Sequence, residues 1–197
     1  MRVLEGGEVY LLDRHLERLS RSARHFSFSL DRAKTRDDIL KTAPRNAACL
    51  RLTLSQDGQV LIRQSQLPAG YAQWLRLASV RVNSNGEFLY HKTTNREVYE
   101  AARRECDDQT DALLSNDCGE ITETTIMNVA VLRNGRWITP QLSCGLLPGT
   151  MREELLARGE IIEGVIQAAE LQDGEVIRCF NALRGVYEAR FIKVPSF

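Results

Sequence analysis

Apolar positions along this chain recur with two periods, and the places where the period changes divide it into elements. Leu16, Leu19, Ala23 and Phe26 stand at helical spacing, which predicts a helix capped by Asp13 with one buried face. Before it, Arg2 to Leu12 reads as a short strand, a Gly6-Gly7 turn and a second strand over Glu8 to Leu12. Arg32 to Ala43 predicts a second helix, ended by Pro44. Ala48 to Leu54 and Gln59 to Arg63 alternate around Asp57-Gly58, the pattern of a β-hairpin. The turn residues Leu67-Pro68-Ala69-Gly70 then precede a new apolar segment. A boundary is therefore expected at about residues 67–72, between a small domain over 1–66 and a larger one over 73–197.

In the larger part the pattern predicts a strand at 74–82 and a helix at 95–106, then strands near 111–115, 120–122 and 127–132, followed by Trp137-Ile138-Thr139-Pro140. A helix at 150–158 and strands near 161–167, 175–180 and 186–194 complete it. No repeat or low-complexity tract interrupts the order. The chain reads as a mixed α/β protein and not as a helical bundle.

Composition narrows the classes of partner. Of 197 residues 43% are hydrophobic and 26% charged, and 26 basic side chains balance 26 acidic ones. That balance gives no general attraction to nucleic acid or to an anionic membrane, so a small molecule is the expected partner. No apolar run approaches the ~20 residues of a membrane span, and the start lacks a signal-peptide pattern, so a cytoplasmic place is expected. Cys49, Cys106, Cys118, Cys144 and Cys179 form no CxxC pair and are odd in number. They suggest neither a zinc site nor a disulfide framework, and reduced thiols in or near the core are expected.

Four stretches carry candidate chemistry. In Phe88-Leu89-Tyr90-His91-Lys92-Thr93-Thr94-Asn95-Arg96 an apolar run stops at Lys92, and Thr94 with Glu97 has capping-box spacing. Lys92 is thus expected at the end of a strand just before a helix, although a lone lysine in such a place is more often a solvated loop residue. Glu123 lies among hydroxyl side chains in Gly119-Glu120-Ile121-Thr122-Glu123-Thr124-Thr125-Ile126-Met127-Asn128. There it is either a partly buried carboxylate that needs a donor or cation, or a strand-edge glutamate in water. In Cys144-Gly145-Leu146-Leu147-Pro148-Gly149-Thr150-Met151-Arg152-Glu153, Thr150 and Glu153 repeat the capping-box spacing at a helix start, where N–H groups can receive an anion. The turn Asn181-Ala182-Leu183-Arg184-Gly185 could supply a second nest of N–H groups. On the first helix, Arg18 lies between Leu16 and Leu19, a position that also suits an arginine snorkelling over the core edge.

Taken together and in order, these stretches resemble the class IV aminotransferase family, the pyridoxal-phosphate enzymes of fold type IV. The resemblance rests on Asp-Arg-His-Leu-Glu-Arg-Leu from Asp13, His-Lys-Thr-Thr-Asn-Arg from His91, the Glu123 stretch, Thr-Pro at Thr139, Gly-Leu-Leu-Pro-Gly-Thr-Met-Arg from Gly145, and Asn-Ala-Leu-Arg-Gly from Asn181. It implies a small N-terminal α/β domain, a larger C-terminal α/β domain that binds the cofactor, and a homodimer with active sites near its interface. It also implies pyridoxal 5′-phosphate as cofactor and no metal. Lys92 would bond to the cofactor and serve as general acid and base, and Glu123 would keep the pyridine nitrogen protonated. Arg18 and the N–H groups of Thr150, Met151, Asn181 and Ala182 would bind its phosphate.

Within the family, His-Lys-Thr-Thr-Asn-Arg and Asn-Ala-Leu look more like aminodeoxychorismate lyases than like branched-chain or D-amino-acid aminotransferases. A lyase forming 4-aminobenzoate and pyruvate is the leading expectation. An aminotransferase is the second, and a truncated homologue without catalysis the third. The departure from the family is at the start, where a further strand, often carrying Glu-Thr, would precede Met1-Arg2-Val3.

The chain has four lysines, Lys34, Lys41, Lys92 and Lys193. Borohydride reduction of the protein loaded with pyridoxal phosphate, followed by peptide mapping, should place the label on Lys92. Label on any other lysine would refute its assignment.

Overall fold

The computed structural model describes residues 1–193. The last residue of the strand expected over 186–194, and the rest of the chain to 197, lie outside the described residues. Contacts divide the chain into two units, Met1–Ala69 with Ala182–Arg184, and Gly70–Asn181 with the chain from Gly185 onward.

In the first unit β1 (Arg2–Val3), β2 (Ala48–Leu54) and β3 (Val60–Ser65) form an antiparallel sheet in that order, beside α1 (Leu12–His25) and α2 (Arg32–Thr42). Leu12 and Leu16 of α1, Ile39 of α2 and Leu50 of β2 share one apolar core. The β2–β3 hairpin closes with Leu54 opposite Val60. Gly58 in its turn has φ +88, a conformation that a side chain would strain. The strand expected over Glu8 to Leu12 shrinks to one bridge, Val9 to Val3. The reason is Leu11, whose left-handed backbone, φ 54, turns the chain into α1. Asp13 therefore does not cap the helix. It stands in the first turn, where its charge suits the helix dipole and pairs with Arg36 of α2. In α2 the cap is Asp31, which accepts the Lys34 N–H at 2.9 Å.

The second unit contains β4 (Trp74–Val82), α3 (Glu97–Arg103), β5 (Thr110–Asn116), β6 (Ile121–Thr124), β7 (Asn128–Arg133), β8 (Arg136–Pro140), α4 (Thr150–Ala157), β9 (Ile162–Gly164), β10 (Val176–Asn181) and β11 (Gly185–Ile192). Its eight strands lie in the order β6-β5-β4-β11-β10-β7-β8-β9. The β5–β4, β4–β11 and β8–β9 pairs are parallel and the others antiparallel. The sheet curls until its two edges meet. Ile121 N–H donates to the Ile166 carbonyl at 2.8 Å and Ala168 N–H to the Gly119 carbonyl at 2.9 Å, so β6 closes against the segment after β9. Inside lie Leu75, Leu113, Ile121, Met127, Val129 and Ile177, all fully buried. Outside, Tyr99 and Ala102 of α3 pack with Val82, Ala112 and Leu114 of the central strands. β5 is covered on both faces, which explains its unbroken apolar run.

Two elements are much shorter than the sequence pattern predicts. The helix expected over 95–106 covers only Glu97–Arg103, and the strand expected over 161–167 only Ile162–Gly164, because Ile166 and Ala168 are used in closing the sheet. Thr94 caps nothing. Arg96 is the residue at the start of α3, and no side chain caps that end. All five cysteines are free; Cys144 and Cys179 are buried, whereas Cys118 is exposed and so departs from the expected core placement. Among the described residues no helix is long and apolar enough to cross a membrane, and no group of side chains could hold a metal ion.

Ile121 has no exposed surface and sits where the curled sheet closes. Ile121→Ala should lower stability by about 2–5 kcal/mol, read from the denaturant midpoint. A loss below about 1 kcal/mol would contradict this account of the seam.

Candidate active site

The site in the second unit is built around Glu123. β6 is the first strand in the order of the sheet and so an edge, yet the curl of the sheet leaves this residue only 5% exposed. Three donors meet its carboxylate. Tyr99 Oη donates to Oε1 at 2.8 Å, Leu147 N–H to Oε1 at 3.0 Å, and the Asn128 amide to Oε2 at 3.2 Å. The Asn128 amide nitrogen also donates to the Leu147 carbonyl at 2.9 Å, so its oxygen does not turn toward Glu123. Of the two sequence readings of Glu123, the solvated one fails. Burial pushes its acid up to about 7, against the Leu147 and Tyr99 hydrogen bonds and the charges of Lys92 and Arg96, which lower it.

Lys92 lines the same open pocket as Glu123, together with His91, Asn95, Arg96 and Leu147. It is not at a strand end. β4 stops at Val82, and a loop with a short 3-10 turn over Glu87–Leu89 leads to an exposed Lys92. This loop is held at two points. Tyr90 Oη donates to the Ser84 carbonyl at 2.5 Å, and Gly145, at φ +94, lies so close that a Cβ there would be 2.9 Å from Ser84 Cα. Arg96, at the far end of the loop, donates to the Thr125 carbonyl at 2.5 Å, and the Thr125 hydroxyl donates to buried Asp111 at 2.6 Å.

α4 starts three residues beyond Leu147. Gly149, and not Thr150, occupies its cap, and no side chain bonds there, so the expected Thr150–Glu153 box is absent. Glu153 N–H instead donates to the Gly149 carbonyl at 2.9 Å. A Cβ at position 149 would fall 2.0 Å from Asn128 Oδ1, so any other residue there would displace the Asn128 amide. The first-turn N–H groups of a helix have no acceptor within it, and Thr150 and Met151 stand in that turn. Buried Arg152 anchors the helix by donating to the Pro140 carbonyl at 2.7 Å and to Glu163 at 2.5 Å. Asn181, at the end of β10, donates to the carbonyl of the pocket residue Ile126 at 3.1 Å. Thus Lys92 and Glu123 share the pocket, with Asn181 bonded to its rim and Thr150 and Met151 following Leu147. Arg18, half-buried on α1, and Ala182 belong to the first unit.

Comparison with known proteins shows the family of the chain. The family model for class IV aminotransferases matches residues 1–192. The chain belongs to this family. A Schizosaccharomyces pombe protein named "Putative aminodeoxychorismate lyase" is 36% identical to this class IV enzyme over 206 residues, covering 98% of this chain and 89% of that one. A solved structure from Mesorhizobium loti, described as a "Putative amino-acid aminotransferase", is also 36% identical, with a TM-score of 0.87 over 98% of this chain and 97% of that one. The 4-amino-4-deoxychorismate lyase structure of Pseudomonas aeruginosa shares the fold, with a TM-score of 0.80 over 98% of this chain and 82% of that one, at 23% identity.

Enzymes of class IV depend on pyridoxal 5′-phosphate, and the residues present suit that group. Tyr99, the Leu147 N–H and the Asn128 amide all donate to the Glu123 carboxylate, a set that fits an ionised carboxylate, while burial penalises that charge. A protonated pyridine nitrogen answers both demands, since it brings a further donor and a positive charge. Tyr99, Asn128 and the Leu147 N–H had no assigned role in the sequence reading. Asn128 lies inside the Glu123 stretch and packs against Gly149, 21 positions on, but neither feature signals the other until the chain is folded.

Because the folded acid of Glu123 is raised, the folded protein keeps this proton up to about pH 7, whereas an unfolded carboxyl loses it near its ordinary value of 4.5. Its contribution to stability is therefore complete below about 4.5 and is lost as pH rises through about 7, on the order of 3 kcal/mol. Urea midpoints of the cofactor-free protein from pH 5 to 8 should fall more steeply for the wild type than for Glu123→Gln. Identical pH profiles would mean that the folded carboxyl is not raised.

Proposed function

We propose that this class IV enzyme is a lyase that converts 4-amino-4-deoxychorismate to 4-aminobenzoate and pyruvate. The observation that carries this reading is the 36% identity to the similarly named S. pombe protein over 98% of this chain and 89% of that relative. The pocket supplies the means. Bound pyridoxal phosphate supplies an electron sink for the carbanion. Glu123 would accept the ring N–H and keep that nitrogen cationic, and the N–H groups of Thr150, Met151 and Asn181 would hold the phosphate. The Lys92 amine carries the cofactor between turnovers and, with substrate in place, takes the proton from the amine-bearing ring carbon. The bond from the ring to the enolpyruvyl oxygen then breaks and the ring becomes aromatic. The released enolpyruvate gains a proton at its methylene carbon to give pyruvate, so the substrate divides into two products without a co-substrate.

A second reading, an aminotransferase, is favoured by the equally identical M. loti structure, described as an amino-acid aminotransferase; its substrate here would be a branched-chain or D-amino acid. The two differ in their need for an amino acceptor. In either case the protein would work as a homodimer in the cytoplasm.

Enzyme mixed with 4-amino-4-deoxychorismate and no 2-oxo acid should release pyruvate and 4-aminobenzoate in equal amounts over many turnovers. Absence of both, with rapid amino-group exchange between amino and oxo acids, would establish the aminotransferase instead.

A further inference from the structure

The donors around Glu123 are unevenly shared. Oε1 takes both the Tyr99 hydroxyl, at 2.8 Å, and the Leu147 N–H, at 3.0 Å, whereas Oε2 takes the Asn128 amide at 3.2 Å. Oε2 is thus the oxygen with more capacity left for another donor. Resting on the role of Glu123 given above, we propose that Tyr99 is a positioning residue for the cofactor ring, whose hydroxyl clamps Oε1, favours the ionised carboxylate and leaves Oε2 to receive the ring N–H.

Tyr99 is itself firmly placed. Its ring is buried on α3, and the Arg96 guanidinium lies over it at 4.8 Å from the centroid. Arg96 is tied in turn to the Thr125 carbonyl, and Thr125 to Asp111 of β5, so a continuous tether runs from the sheet to the phenol. Burial, and after it the charge of Glu123, raise the phenol's acid far above its ordinary value, so Tyr99 donates its hydrogen bond and keeps its proton. Lys92 and Arg96 act on Glu123 through their positive charge, whereas Tyr99, the Leu147 N–H and Asn128 hydrogen-bond to its carboxylate. Leu147 N–H and Asn128 are neutral. Among the side chains hydrogen-bonded to the carboxylate, the phenol is the one whose donor strength can be changed without altering charge.

The test follows the Glu123 carboxyl by carbon-13 NMR in the cofactor-free protein, where a role in packing alone would leave no mark. Tyr99→Phe should raise the titration midpoint by about one pH unit, the size of one lost hydrogen bond to a charged group. A 3-fluorotyrosine in place of Tyr99, a better donor of the same shape, should lower it, and this arm decides if Tyr99→Phe does not fold. Midpoints unmoved by either change overturn the proposal. Failure of the Glu123 reading shows itself separately, as an unchanged visible spectrum of the cofactor-loaded Glu123→Gln protein.

Discussion

A carboxylate taken out of water is costly unless donors or a cation replace its hydration, and Glu123 has been given donors. That exchange shapes much of the second unit. The donors come from three separate pieces of chain, α3, the start of β7 and the segment before α4, and each must arrive within about 3 Å for the carboxylate to be tolerated. The curl of the eight-stranded sheet brings them together. Without the closure of Ile121 against Ile166, β6 would be an open edge and its glutamate would face solvent.

Two glycines translate this constraint into backbone. Gly149 leaves room for Asn128, which then joins Glu123 to Leu147, and Gly145 lets the loop carrying Lys92 lie directly on the same segment. The stretch from Gly145 to Thr150 is therefore a common support for the acid, the lysine loop and the start of α4. Arg152, buried and bonded to Pro140 and Glu163, fixes that support from the other side.

Local signals were legible where local physics decides. Asp57-Gly58 marks a hairpin whose register pairs Leu54 with Val60, and the apolar runs of β4, β5 and β10 are strands because both faces or one face must be buried. Capping signals misled three times, at Asp13, Thr94 and Thr150. In each case spacing alone allowed a cap that a left-handed Leu11, an irregular loop or a glycine at 149 replaced. The ordered motifs marked Lys92 and Glu123 as residues of interest, and the fold puts both at one pocket. What the linear pattern could not carry was the burial of Glu123 and its long-range donors. Tyr99 lies 24 positions from it, and a tyrosine on the buried face of a short helix gives no sign of where its hydroxyl ends.

The central claim is that this buried carboxylate is completed by the proton-bearing nitrogen of the cofactor ring. It is tested most directly by nitrogen-15 NMR of the wild-type enzyme loaded with pyridoxal phosphate labelled at the ring nitrogen. A pyridinium signal that persists to pH 8 is the predicted result. A signal of neutral pyridine at pH 7 would contradict the account.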